Sequence, residues 1–335
     1  MRIKRHFVTI DGRWGPRQVH YRRCGDGPAL LLLHQSPRSS AEFVELMERW
    51  GESFSVIASD HPGYGISDPL GDPAANMEAF AEALAEFIEA IGLESVAVYG
   101  LHTGAGMAVA LAARHPERVS CLVANGFVVF EDHERQNFLA NYLPPFRPAW
   151  DGSHLAWLWA RHRDQLIFFP WYDRTSAARM DLSMPDPECL NEAVIDFLRA
   201  DDNYRVGYAA AFRYRGDLAL RYLRVPALIT AAEQDPLRDH LDRIQRTSEQ
   251  VEVRPGGSLE ETLEMALEFL KRHPGADVPE VRTTSAAPGC LWNRMVDVRG
   301  GQLRVQCDFE ADGLPVLIQH GAGGSAETVE PPAPC

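Results

Sequence analysis

Five apolar runs, PALLLLH (residues 28–34), FSVIAS (54–59), SVAVYG (95–100), SCLVANG (120–126) and VPALIT (225–230), punctuate the chain. Continuous rather than alternating apolar residues read as strands buried on both faces. Between them, NMEAFAEALAEFIEAIG (76–92) carries helical periodicity and a closing glycine, and AGMAVALAARHPERV (105–119) is helix-like. Buried strands alternating with helices predict an α/β fold, a mostly parallel central sheet with helices on both faces. Ahead of the first run, RHFVTIDG and RQVHYRRCG alternate like a pair of strands.

Residues 131–216 break this alternation with a stretch rich in aromatics, HLAWLWARHRDQLIFFPWYDR (154–174). An insertion after a central strand predicts a helical lid over the C-terminal strand ends, where open α/β sheets bind ligands. Trp157 and Trp171 in that stretch are expected to face a substrate. The tail repeats the opening of the chain. RMVDVRGGQLRVQC (294–307) and LPVLIQHGAGGSAETVE (314–330) retrace RHFVTIDGRWGPRQVHYRRC (5–24) and PALLLLHQSPRSSAEFVE (28–45), with His320 matching His34. The chain therefore divides into a domain over residues 1–273, a Pro/Ser/Thr-rich linker over 274–289 and a truncated repeat over 290–335. So short a repeat cannot close a sheet alone, so it is expected to dock on the first domain, mediate self-association, or stay loose.

The formal net charge of −14 (33 Lys and Arg against 47 Asp and Glu) repels a phosphate backbone and argues against nucleic acid and anionic membranes as partners. The six cysteines are scattered without chelating spacing, and no run approaches the roughly 20 apolar residues of a membrane span. With no Gly-rich phosphate loop either, the chain reads as a cytoplasmic protein for a small-molecule substrate, with no cofactor and no metal.

Three motifs, in this order, resemble those of the α/β-hydrolase fold family. LLLLHQSPRSS (30–40) is similar to its HGxP segment, SDHPGYGISD (59–68) to its D-x-P-G-x-G-x-S-D turn, and YGLHTGAG (99–106) to its nucleophile elbow. The resemblance spans about residues 5–273. It implies an elbow whose tight turn needs Gly100 and Gly104 and holds the central residue in a strained conformation above the sheet. That residue is His102, where the family carries Ser, Cys or Asp. The resemblance also puts the family's acid at Asp235, in AAEQDPL, and its histidine where Gly257 and Ser258 stand. A Ser-His-Asp triad has become His, nothing and Asp. The implied oxyanion donors are the backbone N–H groups of Thr103 and Ser36, while Gln35 and Arg38 in the same loop are expected at the substrate. For Arg38 a solvated loop position competes with a carboxylate clamp.

Acyl-enzyme chemistry of the ordinary kind requires a nucleophile and a base, and one of the two is missing. An imidazole on the elbow reaches farther than a hydroxymethyl. Leaning toward Asp235, it would take a proton from water with its other nitrogen, a general base without a protein nucleophile. His102 opens a helix whose dipole disfavours the imidazolium while Asp235 favours it, so residue order leaves the sign of its pKa shift open. The expected activity is hydrolysis of a small, partly apolar carbonyl compound, an ester or lactone. A cofactor-free lyase or decarboxylase uses the same groups, and a non-catalytic ligand-binding protein is the third reading. Geometry separates them: His102 bonded to Asp235 and facing a cavity favours an enzyme, whereas an imidazole packed under aromatics favours a binding role.

Overall fold

The computed structural model describes residues 2–280, 291–308, 312, 314 and 316–325. The main sheet contains β1 (Lys4–Gly12), β2 (Gly15–Cys24), β3 (Ala29–Leu33), β4 (Ser55–Ser59), β5 (Val96–Leu101), β6 (Val119–Asn125), β7 (Ala227–Thr230) and β8 (Val251–Val253). Their order across the sheet is β1-β2-β4-β3-β5-β6-β7-β8. The β1/β2 and β2/β4 pairs are antiparallel, and every pair from β4 to β8 is parallel. The helices are α1 (Val44–Trp50), α2 (Met77–Ala90), α3 (Thr103–Arg114), α4 (Asp132–Asn141), α5 (Ser153–Gln165), α6 (Pro187–Ala200), α7 (Tyr204–Arg213), α8 (Gly216–Ala219) and α9 (Leu259–Arg272). Among the described residues no helix is long and apolar enough to cross a membrane.

The continuous apolar runs follow from burial on both faces. In β3, Leu31 and Leu33 join a core shared with α2 and α3, while Leu30 and Leu32 join one shared with α1 and α9. A polar residue at any of these positions would lose water without gaining a partner. Helix α2 starts where the Asn76 side chain accepts the Ala79 N–H at 2.9 Å, and the chain leaves it through Gly92 in the left-handed region (φ +79°).

Helices α4 to α7 lie within residues 131–216 and hold a third core, made largely of rings: Phe138, Tyr142, Trp171, Phe197, Tyr204, Tyr208 and Phe212 among them. This explains the aromatic richness of the insertion, since the rings pack mainly on one another.

The repeat begins with a hairpin, β9 (Trp292–Val298) and β10 (Gly301–Cys307), laid against the β1/β2 hairpin. Two glutamines make reciprocal contacts there, beside an ion pair between Lys4 and Asp297 (2.7 Å). The Gln18 amide accepts from the Asn293 N–H (2.7 Å) and donates to the Asn293 carbonyl (3.0 Å). The Gln302 amide likewise accepts from the Arg5 N–H (2.8 Å) and donates to the Arg5 carbonyl (3.2 Å). The positions correspond, because Gln18 lies across from Thr9 and Gln302 across from Asp297, and Arg5 precedes Thr9 by the same spacing as Asn293 precedes Asp297. Among the described residues from 312 onward no strand forms, and Leu314, Val316, Leu317 and Ile318 are exposed.

The start of the expected linker is fastened to the domain. Ala29 N–H donates to Ala276 O (2.8 Å), Ala276 N–H to Ser95 O (3.0 Å), and Arg23 reaches Pro279 O (3.0 Å). The rest of that linker, 281–289, lies outside the described residues, as do 326–335 of the expected repeat.

Candidate active site

The segment Gly100-Leu101-His102-Thr103-Gly104 turns β5 into α3. His102 sits at φ 49°, ψ −106°, a backbone conformation that is strained for any residue with a side chain. A Cβ on Gly100 would fall 2.3 Å from Gly104 O, and one on Gly104 would fall 2.0 Å from Leu33 O. Both positions exclude side chains, so the turn presses against β3 and drives the imidazole out above the strand ends. The His102 N–H is bound to Asn125 O at 2.9 Å.

His102 Nε2 lies 2.8 Å from Asp235 Oδ2, and Asp235 Oδ1 accepts the Leu237 N–H at 2.8 Å. On its other side, Nδ1 lies 3.0 Å from Gln35 Oε1. The nitrogen expected to meet water or substrate has the Gln35 side-chain oxygen beside it in this structure. The Gln35 amide has one orientation available, because its Nε2 donates to Glu42 Oε1 at 2.5 Å and a carboxylate has no hydrogen to give an amide oxygen. Both ring nitrogens therefore face acceptors, an arrangement that favours the doubly protonated ring. Burial works against that charge, but the Asp235 carboxylate, its hydrogen bond and the Glu42 charge outweigh it, and the His102 pKa is raised. Burial pushes the Asp235 carboxyl up, and the His102 charge and hydrogen bond overcome it to hold its pKa low. The sign left open by the sequence is set by the two carboxylates, against the helix dipole.

Gly126, just after β6, is a site residue that no sequence motif marks. It sits at φ +67°, and a Cβ there would lie 2.1 Å from His102 Cδ2 and 3.1 Å from Asp235 Oδ2. The absence of a side chain is what admits the ring. Glu42 escapes sequence reasoning too, since nothing in SSAEFVE marks its carboxylate as the partner of Gln35. Ser258 caps α9, exchanging hydrogen bonds with Glu261, and supplies no base.

Above His102 lies a cavity of about 230 Å³. Gln35, Ser36, His102 and Thr103 line it at the strand ends, and Phe130, Phe138, Gln165, Tyr208 and Phe212 line it from the insertion side. As the first residue of α3, Thr103 carries an amide that no carbonyl of its own helix reaches. The Ser36 hydroxyl donates to Tyr64 Oη (3.2 Å). Three expected substrate residues are absent from the lining. Arg38 pairs with Asp196 on α6 (3.2 Å) and ties the loop to the insertion. Trp171 is buried in the third core, its Nε1 donating to Tyr142 O (3.3 Å), and Trp157 packs against Phe146 and Trp171. His34 and His61 stack at 3.7 Å between ring centroids, both fully buried below the site.

Comparison with known proteins places these features. The family model for the alpha/beta hydrolase fold matches residues 28–257. The chain is 31% identical over 131 residues to the 2-(acetamidomethylene)succinate hydrolase of Mesorhizobium japonicum, covering 38% of this chain and 46% of that protein. It is 36% identical over 125 residues to a 2-hydroxy-6-oxononadienedioate/2-hydroxy-6-oxononatrienedioate hydrolase of Dechloromonas aromatica, covering 36% of this chain and 43% of that one. The matches thus span less than half the length of these relatives. Among solved structures, the epoxide hydrolase CorEH superposes with a TM-score of 0.61 at 20% identity, over 81% of this chain and 99% of that chain. A matched model running from β3 through the elbow to the turn after β8 identifies the chain as a member of the α/β-hydrolase fold family.

Proposed function

We propose that the protein is a hydrolase for a small, partly apolar carbonyl substrate such as an ester or lactone, with His102 and Asp235 performing the proton transfers. The observation that carries this is the pair itself, an imidazole on the elbow 2.8 Å from a carboxylate and facing a cavity. With no hydroxyl or thiol at the central elbow position, which His102 occupies, water is the nucleophile. Because Nε2–H is held by Asp235, Nδ1 is the nitrogen that exchanges protons with the substrate side. It becomes a base once the imidazolium has lost its Nδ1 proton and a water has taken the place of Gln35 Oε1. The water oxygen then bonds to the carbonyl carbon as its proton moves to Nδ1. Charge on the former carbonyl oxygen is stabilised by the Ser36 and Thr103 amides, and the Nδ1 proton passes to the leaving oxygen as the C–O bond breaks. Two relatives named as hydrolases, one of a succinate and one of a dienedioate, support a small substrate.

The Gln35 contact favours a second reading, in which the imidazolium acts as a fixed cation that stabilises an enolate in cofactor-free lyase or decarboxylase chemistry. The two differ in pH dependence. A base works above the raised His102 pKa, so its rate climbs with pH through that value, whereas the rate of a cationic catalyst falls over the same interval. The test is turnover of small activated esters and lactones across pH by the wild type, His102→Ala and His102→Ser. Activity that climbs with pH and vanishes in His102→Ala supports the hydrolase. Activity untouched by His102→Ala, or absent from every ester and lactone, rejects it.

A further inference from the structure

Arg161, on α5, is 1% exposed, and its guanidinium is surrounded by rings. Its Cζ lies 5.1 Å from the centroid of Trp171, 5.3 Å from those of Phe197 and Tyr204, and 5.9 Å from that of Tyr142. Nη1 donates to Gln165 Oε1 at 3.0 Å, while Nε and Nη2 are buried with no hydrogen-bond partner among the described residues. Among the described residues no carboxylate pairs with it; the neighbouring Asp164 is taken by Arg163 and Arg174. Ring faces attract a cation, but they return only part of what an unpaired buried charge loses on leaving water.

This charge is connected to the cavity. Gln165 turns its oxygen to Arg161 and its Nε2 to Tyr208 Oη, at 3.2 Å. The Tyr142 ring packs against that of Tyr208, their centroids 5.3 Å apart. Tyr208 accepts from Gln165 and keeps its own hydroxyl hydrogen to donate, and Tyr208, Tyr142 and Gln165 all line the cavity that contains His102. The rest of that insertion-side wall is phenylalanine, methionine and aliphatic side chain.

We infer that Tyr208, Tyr142 and Gln165, backed by Arg161, form a carboxylate-accepting end of the cavity, so that the substrate is an acid whose carboxylate is separated from its reactive carbonyl by an apolar spacer. The inference rests on the cavity being the substrate site proposed above, but its readout is binding and needs no turnover. The carboxylate accepts a hydrogen bond from the Tyr208 hydroxyl and sets a negative charge across Tyr208 and Gln165 from Arg161, which no carboxylate among the described residues pairs. A neutral ligand of the same shape leaves the cation unpaired.

The test is calorimetric binding of hexanoate against hexanamide to wild type, Arg161→Met, Tyr208→Phe and His102→Ala. Wild type should prefer hexanoate by at least about tenfold, an ordinary magnitude for a charge-assisted contact in a buried site. Arg161→Met should remove that preference while leaving hexanamide affinity within about threefold, and His102→Ala should retain it. Tyr208→Phe should lower the preference and serves as the deciding variant where Arg161→Met does not fold. Equal binding of acid and amide by the wild type overturns the inference. So does a preference that survives Tyr208→Phe but is lost in His102→Ala, which would put the carboxylate on the elbow cation. Ester hydrolysis failing while the acid preference holds would remove the proposed reaction and leave this end of the cavity standing.

Discussion

Alanine at position 126 tests whether the vacant space beside His102 holds the His102–Asp235 pair together. Its Cβ would lie 2.1 Å from His102 Cδ2 and 2.6 Å from Nε2. Ordinary contact requires about 3.5–4.0 Å, so the ring must withdraw by about 1.5 Å, and its 2.8 Å bond to Asp235 does not survive that displacement. A hydrogen bond between charged groups contributes about 1.5–3 kcal/mol. A side chain in the left-handed region adds roughly 1–2 kcal/mol, giving a total loss of about 2.5–5 kcal/mol. Gly71→Ala is the control, since Gly71 has φ +71° but a Cβ there would meet nothing within 4 Å. Urea unfolding at about pH 6 should separate the two variants by the hydrogen-bond share, about 1.5–3 kcal/mol. NMR titration of His102 should show its midpoint falling toward the ordinary value of about 6.5. If the two alanines cost the same and His102 titrates as in the wild type, the fit of ring to glycine is not what maintains the pair.

Three further outcomes follow from the same contacts. Asp235→Asn should destabilise most in the window between about pH 4 and 6.5, where both groups of the wild-type pair are charged in the folded state. The raised His102 pKa makes its contribution fade as pH climbs through the folded value, and the lowered Asp235 pKa makes its contribution fade as pH falls through its own. A stability gap that widens on the alkaline side in urea titrations would contradict this. Ser36→Ala should change kcat/KM by less than about threefold, because the backbone amide is the proposed donor, and should cost about 0.5–1.5 kcal/mol through the lost bond to Tyr64; a collapse of kcat at unchanged stability would make the hydroxyl a participant. Gln18→Ala with Gln302→Ala should release the tail hairpin, read as faster amide hydrogen exchange in β9 and β10, and unchanged exchange would mean that other contacts hold it.

The sheet is legible in the sequence because burial on both faces leaves a simple record, an unbroken apolar run. The same record misleads in the tail. LPVLIQHG reads like β3, yet β3 is a strand because β4 and β5 flank it, and among the described residues the tail copy has no such neighbours. At the site, His102 and Asp235 can be read because the elbow and the acid turn have fixed local patterns. The state of the ring cannot, since it depends on Glu42 orienting the Gln35 amide, a matter of side-chain reach. Arg38 is misplaced by sequence reasoning for a related reason: its partner Asp196 is 158 residues away and leaves no local trace. The two tryptophans draw attention by size, but large rings close a core as readily as they line a cavity.

The reciprocal glutamines at the outer hairpins form an isologous interface within a single polypeptide: each half offers the other a side-chain amide and receives it on a backbone residue, as subunits do across a two-fold axis. In a true symmetric dimer any substitution is felt twice, and the two contacts cannot be altered separately. Here each clasp has its own codon. Gln18 and Gln302 can diverge independently, so one can be weakened while the other stays intact, and the strength of the closure can be set in two steps rather than one. The Gln302 clasp also occupies Arg5 on the outermost strand with a side chain instead of another strand, which ends the sheet there without extending it.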